Sequence, residues 1–237
     1  MLAFQVSIGA LNDAVDAPMD AGRKLGKPIP RGAASAGEAT ALATIAFTLG
    51  LALTLPSGPL AMAVALAGVT CGYVYDLALS RSAWSWLPLA VALPLVPVYA
   101  WLGSVGRLPG ELAALLPIGL LAGAALGLAN GLADLERDRA GGGLTAVVRL
   151  GPARAWWVHV ALLAGAIALA ALYLPRGGPG SAVAGLAAPG LVAGAVLAGL
   201  GAVLARGGSA GPRERGWELE AIGVAILGAS WVASLAV

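Results

Sequence analysis

Seven stretches of this chain are long, apolar and almost free of charge: Glu38 to Leu55, Pro59 to Tyr75, Trp84 to Leu102, Leu112 to Ala133, Ala153 to Leu174, Ser181 to Ala205 and Glu218 to Val237. About 20 such residues in a helix span the roughly 30 Å hydrocarbon core of a bilayer. Only 11% of the 237 residues are charged and 59% are apolar, whereas a soluble domain carries about 25% charged residues. Such a chain cannot cover a water-facing surface. It can cover a lipid-facing one, because helices satisfy their own backbone polar groups. The expected fold is all-α, a polytopic transmembrane bundle forming a single domain over residues 1–237.

The separators carry breaker chemistry: "LPSGP", "GSVGRLPGE", "LPRGGPG" and "RGGSAGPRERG". "SAGE", Ser35 to Glu38, reads as a capping box. Alternating the loops puts 12 of the 14 basic residues on one side, leaving Arg107 and Arg176 on the other. That bias places the rich side in the cytoplasm. Every acid except Glu111 lies on the same side. Trp84, Trp86, Trp156 and Trp157 fall at expected interfaces as an aromatic belt. Gly119, Gly123, Gly127 and Gly131 form a smooth face for packing within the bundle. His159 reads as a hydrogen-bonded packing residue and Cys71 as a small core residue. The formal net charge of +2 gives no reason to expect a nucleic-acid partner. Abundant Ala and Gly, with arginine far outnumbering lysine, point to a GC-rich bacterium and hence to its plasma membrane.

The acids are not spread evenly. Asn12, Asp13, Asp16 and Asp20 follow N-D-x-x-D-x-x-x-D, which at 100° per residue makes one stripe along a helix end. Asn130, Asp134 and Asp138 repeat the four-residue spacing, with Glu136 off that face. Pro18 is expected to loosen the first stripe near Ala14. Acids and bases at helix ends are ordinary interfacial residues. Two like stripes, each running into arginines on one side of the membrane, are harder to dismiss. Facing carboxylates repel in a low-dielectric surround unless a cation neutralises them. An oxygen-only set without Cys or His favours Mg²⁺ or Ca²⁺. The neighbouring Arg23, Lys24, Lys27, Arg31, Arg137, Arg139 and Arg149 suit phosphate oxygens, so the pattern reads as a metal–diphosphate site.

"NDAVDAPMDAGRKLGKPIPRG" followed by "DLERDRAGGGLTAVVRLG" resembles the paired signatures of the UbiA-type intramembrane prenyltransferases. "YVYDLALSRSAWSWLPLAVALPLVPVYAW" is also similar to family text, and the likeness runs over most of the chain. The resemblance implies a bundle normally of nine helices with the aspartate boxes facing across a cavity. It implies two Mg²⁺ ions held by Asn12, Asp13, Asp16, Asp20, Asn130, Asp134 and Asp138, with Asp13, Asp16, Asp134 and Asp138 carrying the catalysis. An isoprenoid diphosphate would be met by Arg23, Lys24, Lys27, Arg31, Arg81, Arg137, Arg139 and Tyr75, and its prenyl group passed to an aromatic or lipid-like acceptor. Ser80 stands where the family often has a lysine, with Arg81 one step on as a substitute. Tyr73 and Tyr75 are candidates to flank an allylic cation through their π faces.

The family reaches its first box through two helices, and here only an apolar half-helix precedes it. The domain is therefore expected to lack its first one and a half helices, through an internal or misassigned start. A terpene-cyclase-like relative, a non-catalytic truncated homologue and, more distantly, a transporter are the alternatives. The acids cluster at one end of the helices, which argues against the last. Acceptor, chain length and oligomeric state are not fixed by these residues.

Overall fold

Apolar runs show that helices exist; caps, glycines and prolines decide where they stop. A computed structural model describes residues 1–21, 26–174 and 182–235. Among them are α1 (Leu2–Asp20), α2 (Ala36–Thr54), α3 (Gly58–Val74), α4 (Leu87–Val105), α5 (Leu115–Ala133), the short α6 (Leu135–Ala140) and α7 (Ala146–Leu150), α8 (Pro152–Leu172), α9 (Ala182–Ala205) and α10 (Ala210–Ala233). Arg23, Lys24 and Arg176 lie outside the described residues.

Among the described residues, five helical stretches are long and apolar enough to cross a membrane: 36–79, 87–105, 110–133, 152–172 and 187–205. The first, 44 residues long, is broken into α2 and α3 by a 3₁₀ turn at Leu55–Ser57 and by Gly58 at φ +87°, a backbone region that favours glycine. The outer faces carry lipid-facing rows such as Leu42, Ile45, Leu49 and Leu53 on α2, all exposed. This is an integral membrane protein. The Ser35–Glu38 capping box is present, with Glu38 N–H donating to Ser35 Oγ at 3.2 Å and Ser35 N–H to Glu38 Oε2 at 2.7 Å.

As the stripe along a helix end requires, α1 runs 19 residues, through the acidic stripe and past Pro18. Pro18 sits in the last turn, where a missing N–H removes only one terminal bond, and Ala21 N–H still reaches Ala17 C=O at 3.2 Å. One boundary does differ from the sequence reading: α10 begins at Ala210 rather than Glu218. Ser209 is extended at its N-cap, and Pro212 falls in the first turn, where proline is tolerated. The "GPRER" segment is thus helix, not loop.

The central helix is α5, with 12 of its 19 residues buried. It packs against α4, α8, α9 and α10, while α1 lies on α2 and α3. Its glycine ladder packs inside the molecule. A Cβ on Gly119 would stand 2.8 Å from Pro94 Cα, and one on Gly127 2.8 Å from Trp86 Cα. Gly123 meets the backbone at Leu89 and Ala90, and Gly131 the side chain of Val147. On α8, fully buried His159 bonds Glu220 of α10 through Nε2 at 2.8 and 2.9 Å. Of the four belt tryptophans, Trp84 and Trp157 face outward, while Trp156 donates to Ala202 C=O at 2.8 Å.

Helices α9 and α10 approach closely through Gly194, Gly201, Gly216 and Gly223, where a Cβ would meet the partner's backbone. Gly223→Val is expected to cost about 1–3 kcal/mol through overpacking, lowering the melting temperature of detergent-purified protein by roughly 2–12 °C. Gly199→Ala, whose added Cβ meets nothing within 4 Å, should leave it unchanged or slightly higher.

Candidate active site

Three helix ends meet at one end of the bundle: the acidic turn of α1, the segment after α3, and the junction of α5 with α6. Each is shaped by local sequence. After α1, "KPIPRG" folds into a tight turn with Arg31 N–H on Lys27 C=O (3.3 Å), Gly32 N–H on Ile29 C=O (2.9 Å) and Gly32 at φ +76°. That turn carries Lys27 back over the α1 acids. After α3, residues Tyr75–Leu79 form a π-helix closed by Ser80 N–H on Tyr75 C=O at 2.8 Å, a feature often found at functional sites. At the third end, Asp134 breaks the axis between α5 and α6 (φ −91°, ψ 1°). The bonds from Asp134 N–H to Asn130 C=O (3.0 Å) and from Asp138 N–H to Asp134 C=O (2.9 Å) still keep the four-residue stripe in register.

These ends enclose a cavity of about 910 Å³ whose wall includes Asp16 and Asp20 of the first stripe and Asp134 and Asp138 of the second. Glu136, Arg81 and Arg137 line it too. A second cavity, about 280 Å³, lies deeper and is largely apolar, with Ile8, Gly68, Gly72, Leu89 and Ala92 in its wall. Tyr75, Ser80, Asp134 and Asp138 line both. Asn130 faces the inner one and hydrogen-bonds Tyr75. Cys71 lines this pocket instead of filling the core. Tyr73 is taken up elsewhere: its hydroxyl meets Ser7 Oγ at 2.6 Å.

The carboxylates are matched by the chain's own cations. Lys27 Nζ stands 3.0 Å from Asp13 Oδ1, 2.9 Å from Asp20 Oδ2, 3.7 Å from Asp16 Oδ2 and 3.2 Å from Asn12 Oδ1. Burial works to lower the pKa of Lys27, yet hydrogen bonds and attraction from Asp20 and Asp13 outweigh it, and the net shift is upward from 10.5. A raised lysine contributes its stabilisation below its unfolded value near 10.5 and loses it only as pH climbs through the raised one. Lys27 is therefore charged at neutral pH. In the second stripe, Asp134 pairs with Arg137, and Asp138 Oδ2 accepts from Thr145 Oγ1 at 3.0 Å. Glu136 pairs with Arg213, buried in α10, whose hydrogen bond holds the glutamate below its usual pKa of 4.5. That contact is complete above pH 4.5 and fades as pH falls through the lowered value.

Arg81 ties the two boxes together. Its guanidinium donates to Gly141 C=O and, at 3.2 Å, to Met19 Sδ. Leu144 N–H returns to Arg81 C=O at 2.9 Å. Arg31 and Arg139 are exposed and belong to the wall of neither cavity. Asp13 and Asn12 contact Lys27 and are part of neither cavity wall. Thr145, Arg213 and Trp217, which also lines the inner pocket, were not singled out from sequence. Neither was Asp76, a buried carboxylate bonded to Asn12.

Among the described residues no three of Asp, Glu, His and Cys stand close enough to enclose an ion alone. The donor set still fits Mg²⁺, which takes one or two carboxylates and completes its shell with water and phosphate oxygens. Both stripes offer carboxylates to one cavity, and among the described residues no Cys or His lines it. An ion bound at the first stripe would compete with Lys27 for its carboxylates. Lys27→Gln is therefore expected to tighten Mg²⁺ binding several-fold when no diphosphate is present, measured by titration calorimetry on detergent-purified protein.

Residues 1–217 match the UbiA prenyltransferase family. The chain is 33% identical over 189 residues to a digeranylgeranylglyceryl phosphate synthase of Methanoregula boonei, covering 77% of this chain and 65% of that protein. To the protein of the same name from Ignicoccus hospitalis it is 32% identical over 176 residues, covering 70% of this chain and 57% of the relative. The chain thus spans less than two thirds of the length of these curated relatives. A solved UbiA homolog from Archaeoglobus fulgidus, bound to GPP and Mg²⁺, superimposes with a TM-score of 0.70 at 19% identity, over 97% of this chain and 86% of that one. This chain belongs to the UbiA prenyltransferase family.

Proposed function

We propose that this chain transfers an isoprenyl group from an isoprenyl diphosphate to the hydroxyl of a glyceryl phosphate lipid, using Mg²⁺, with the acidic end in the cytoplasm. The observation that carries this reading is the pair of joined cavities. One is walled by carboxylates of both stripes with Arg81 and Arg137; the other is largely apolar, and Tyr75, Ser80, Asp134 and Asp138 border both. A diphosphate ester has the same two halves. The names of the relatives favour a glyceryl phosphate acceptor, and the Archaeoglobus homolog binds GPP and Mg²⁺. The bias of basic residues supports the cytoplasmic placement, and composition supports a bacterial plasma membrane.

In this reading Asp13, Asp16 and Asp20, with Asn12, are the candidate ligands of the first box and Asp134 and Asp138, with Asn130, those of the second. Each of two Mg²⁺ ions would take one or two of these carboxylates and complete its shell with water and diphosphate oxygens. Bound Mg²⁺ supplies positive charge to the diphosphate oxygens. Arg81, Arg137 and Lys27 add charge-assisted hydrogen bonds to the same oxygens. As the ester C–O bond breaks, the diphosphate leaves with the electron pair, and the allylic carbon becomes cationic inside the apolar pocket. Tyr75, which borders both cavities, would flank that carbon with its ring, and the largely apolar walls would keep water from capturing it. The acceptor hydroxyl oxygen forms the new C–O bond and gives up its proton to the released diphosphate.

Purified protein given labelled prenyl diphosphates and glyceryl phosphate lipids should form a prenyl ether, and EDTA should abolish it. Asp16→Ala and Asp134→Ala should each lower turnover by at least about 100-fold without loss of folding. Turnover that survives EDTA, or unchanged rates in both variants, would sink the mechanism. Hydrocarbon formed without an acceptor would assign cyclase chemistry instead.

A further inference from the structure

Asp76 belongs to neither acidic stripe, yet it lies beside the first one. It sits in the π-helical segment after α3, 5% exposed, and its Oδ1 accepts from Asn12 Nδ2 at 3.1 Å. The other end of the same amide, Asn12 Oδ1, accepts from Lys27 Nζ at 3.2 Å. The donor and acceptor inventory allows only this orientation. An ammonium donates and never accepts, so Lys27 meets the amide oxygen and not the NH₂. The NH₂ then points away and needs an acceptor, which Asp76 supplies. The second oxygen of Asp76, Oδ2, is buried without a hydrogen-bond partner among the described residues. A buried carboxylate with an unmatched oxygen costs stability. Packing alone does not account for an aspartate there.

We propose that Asp76 is a positioning residue of the first box, holding the Asn12 amide so that its oxygen faces the cation bound there. The inference rests on the metal–diphosphate reading above. Whatever cation occupies the box, ammonium or metal, requires an oxygen from Asn12, and a flipped amide would present N–H groups to it. Asp76 thus acts on the cation through Asn12, as outer partners do when they fix the orientation of a ligand.

The test uses the full chain in detergent, with inorganic pyrophosphate present and Mn²⁺ as the probe, free Mn²⁺ being read by electron paramagnetic resonance. Asp76→Ala and Asp76→Leu should weaken Mn²⁺ binding by about 10-fold or more. Asp76→Asn, whose amide oxygen still accepts from Asn12, should bind within about threefold of wild type. Asn12→Ala should match Asp76→Ala, and the double variant should be no weaker than Asn12→Ala, because the two residues act in series. Independent, multiplying effects would overturn the proposal, as would wild-type affinity in Asp76→Ala and Asp76→Leu. If neither of those folds, the comparison of Asp76→Asn with Asn12→Ala decides: near wild type against weak supports the proposal, equally weak overturns it. A wild-type chain that binds no Mn²⁺ with pyrophosphate fails the site reading itself, separately from any variant.

Discussion

Carboxylates gathered at the end of an apolar bundle repel one another more strongly than they would in water, and the arrangement of the surrounding elements answers that repulsion. Lys27 stands among Asp13, Asp16 and Asp20; Arg137 pairs with Asp134; Arg213 reaches from α10 to Glu136. Each cation comes from a different part of the chain. Lys27 is brought by the proline-stiffened turn after α1, Arg137 by α6 itself, and Arg213 by the first turn of the last long helix. Three separate segments, a loop turn, a short helix and the start of a long one, thus converge their cations on the same end of the molecule as the acids.

The long helices and both acidic stripes were legible in the sequence because each obeys a simple period. Apolar runs of membrane length admit one solution, and aspartates four residues apart stay on one face even where the axis breaks at Asp134. The glycine ladder of α5 was legible for the same reason. What escaped was set by tertiary contact or by local departures from the α-helix. Asp76 looked like a lone acid at the end of an apolar run, and its role depends on a π-helical segment and on Asn12, 64 residues away. Arg213 lay in a segment rich in glycine and proline that reads as a breaker. Its proline starts α10, because a missing N–H is harmless in the first turn. Of Tyr73 and Tyr75, period alone could not choose; the bond of Tyr73 to Ser7 leaves Tyr75 between the cavities.

The two cavities divide the labour that one diphosphate ester would require. The outer has charge of both signs and the inner has small apolar residues, and the boundary between them is drawn by few side chains. Gly68 and Gly72 contribute no side chain to the inner wall, and Ile8 of α1 packs where a side chain on Gly72 would stand. The inner pocket therefore depends on α1 as much as the outer one does. One helix carries Ile8 toward the apolar pocket and, one turn later, Asn12 toward the acids. A shift of α1 along its axis would disturb both halves of the site together.

That coupling bears on the first box. Asn12 is held from two sides, by Asp76 through its nitrogen and by Lys27 through its oxygen, while Ser7 fastens the same helix to α2 through Ala43 C=O at 2.7 Å. Lys27 engages the oxygens that a metal ion at the first box would need, whereas the Asp76 bond engages only the nitrogen of Asn12. The ammonium stands within 3.7 Å of a carboxylate oxygen of each of the three α1 aspartates. This arrangement avoids the large penalty of an uncompensated charge in a low-dielectric site.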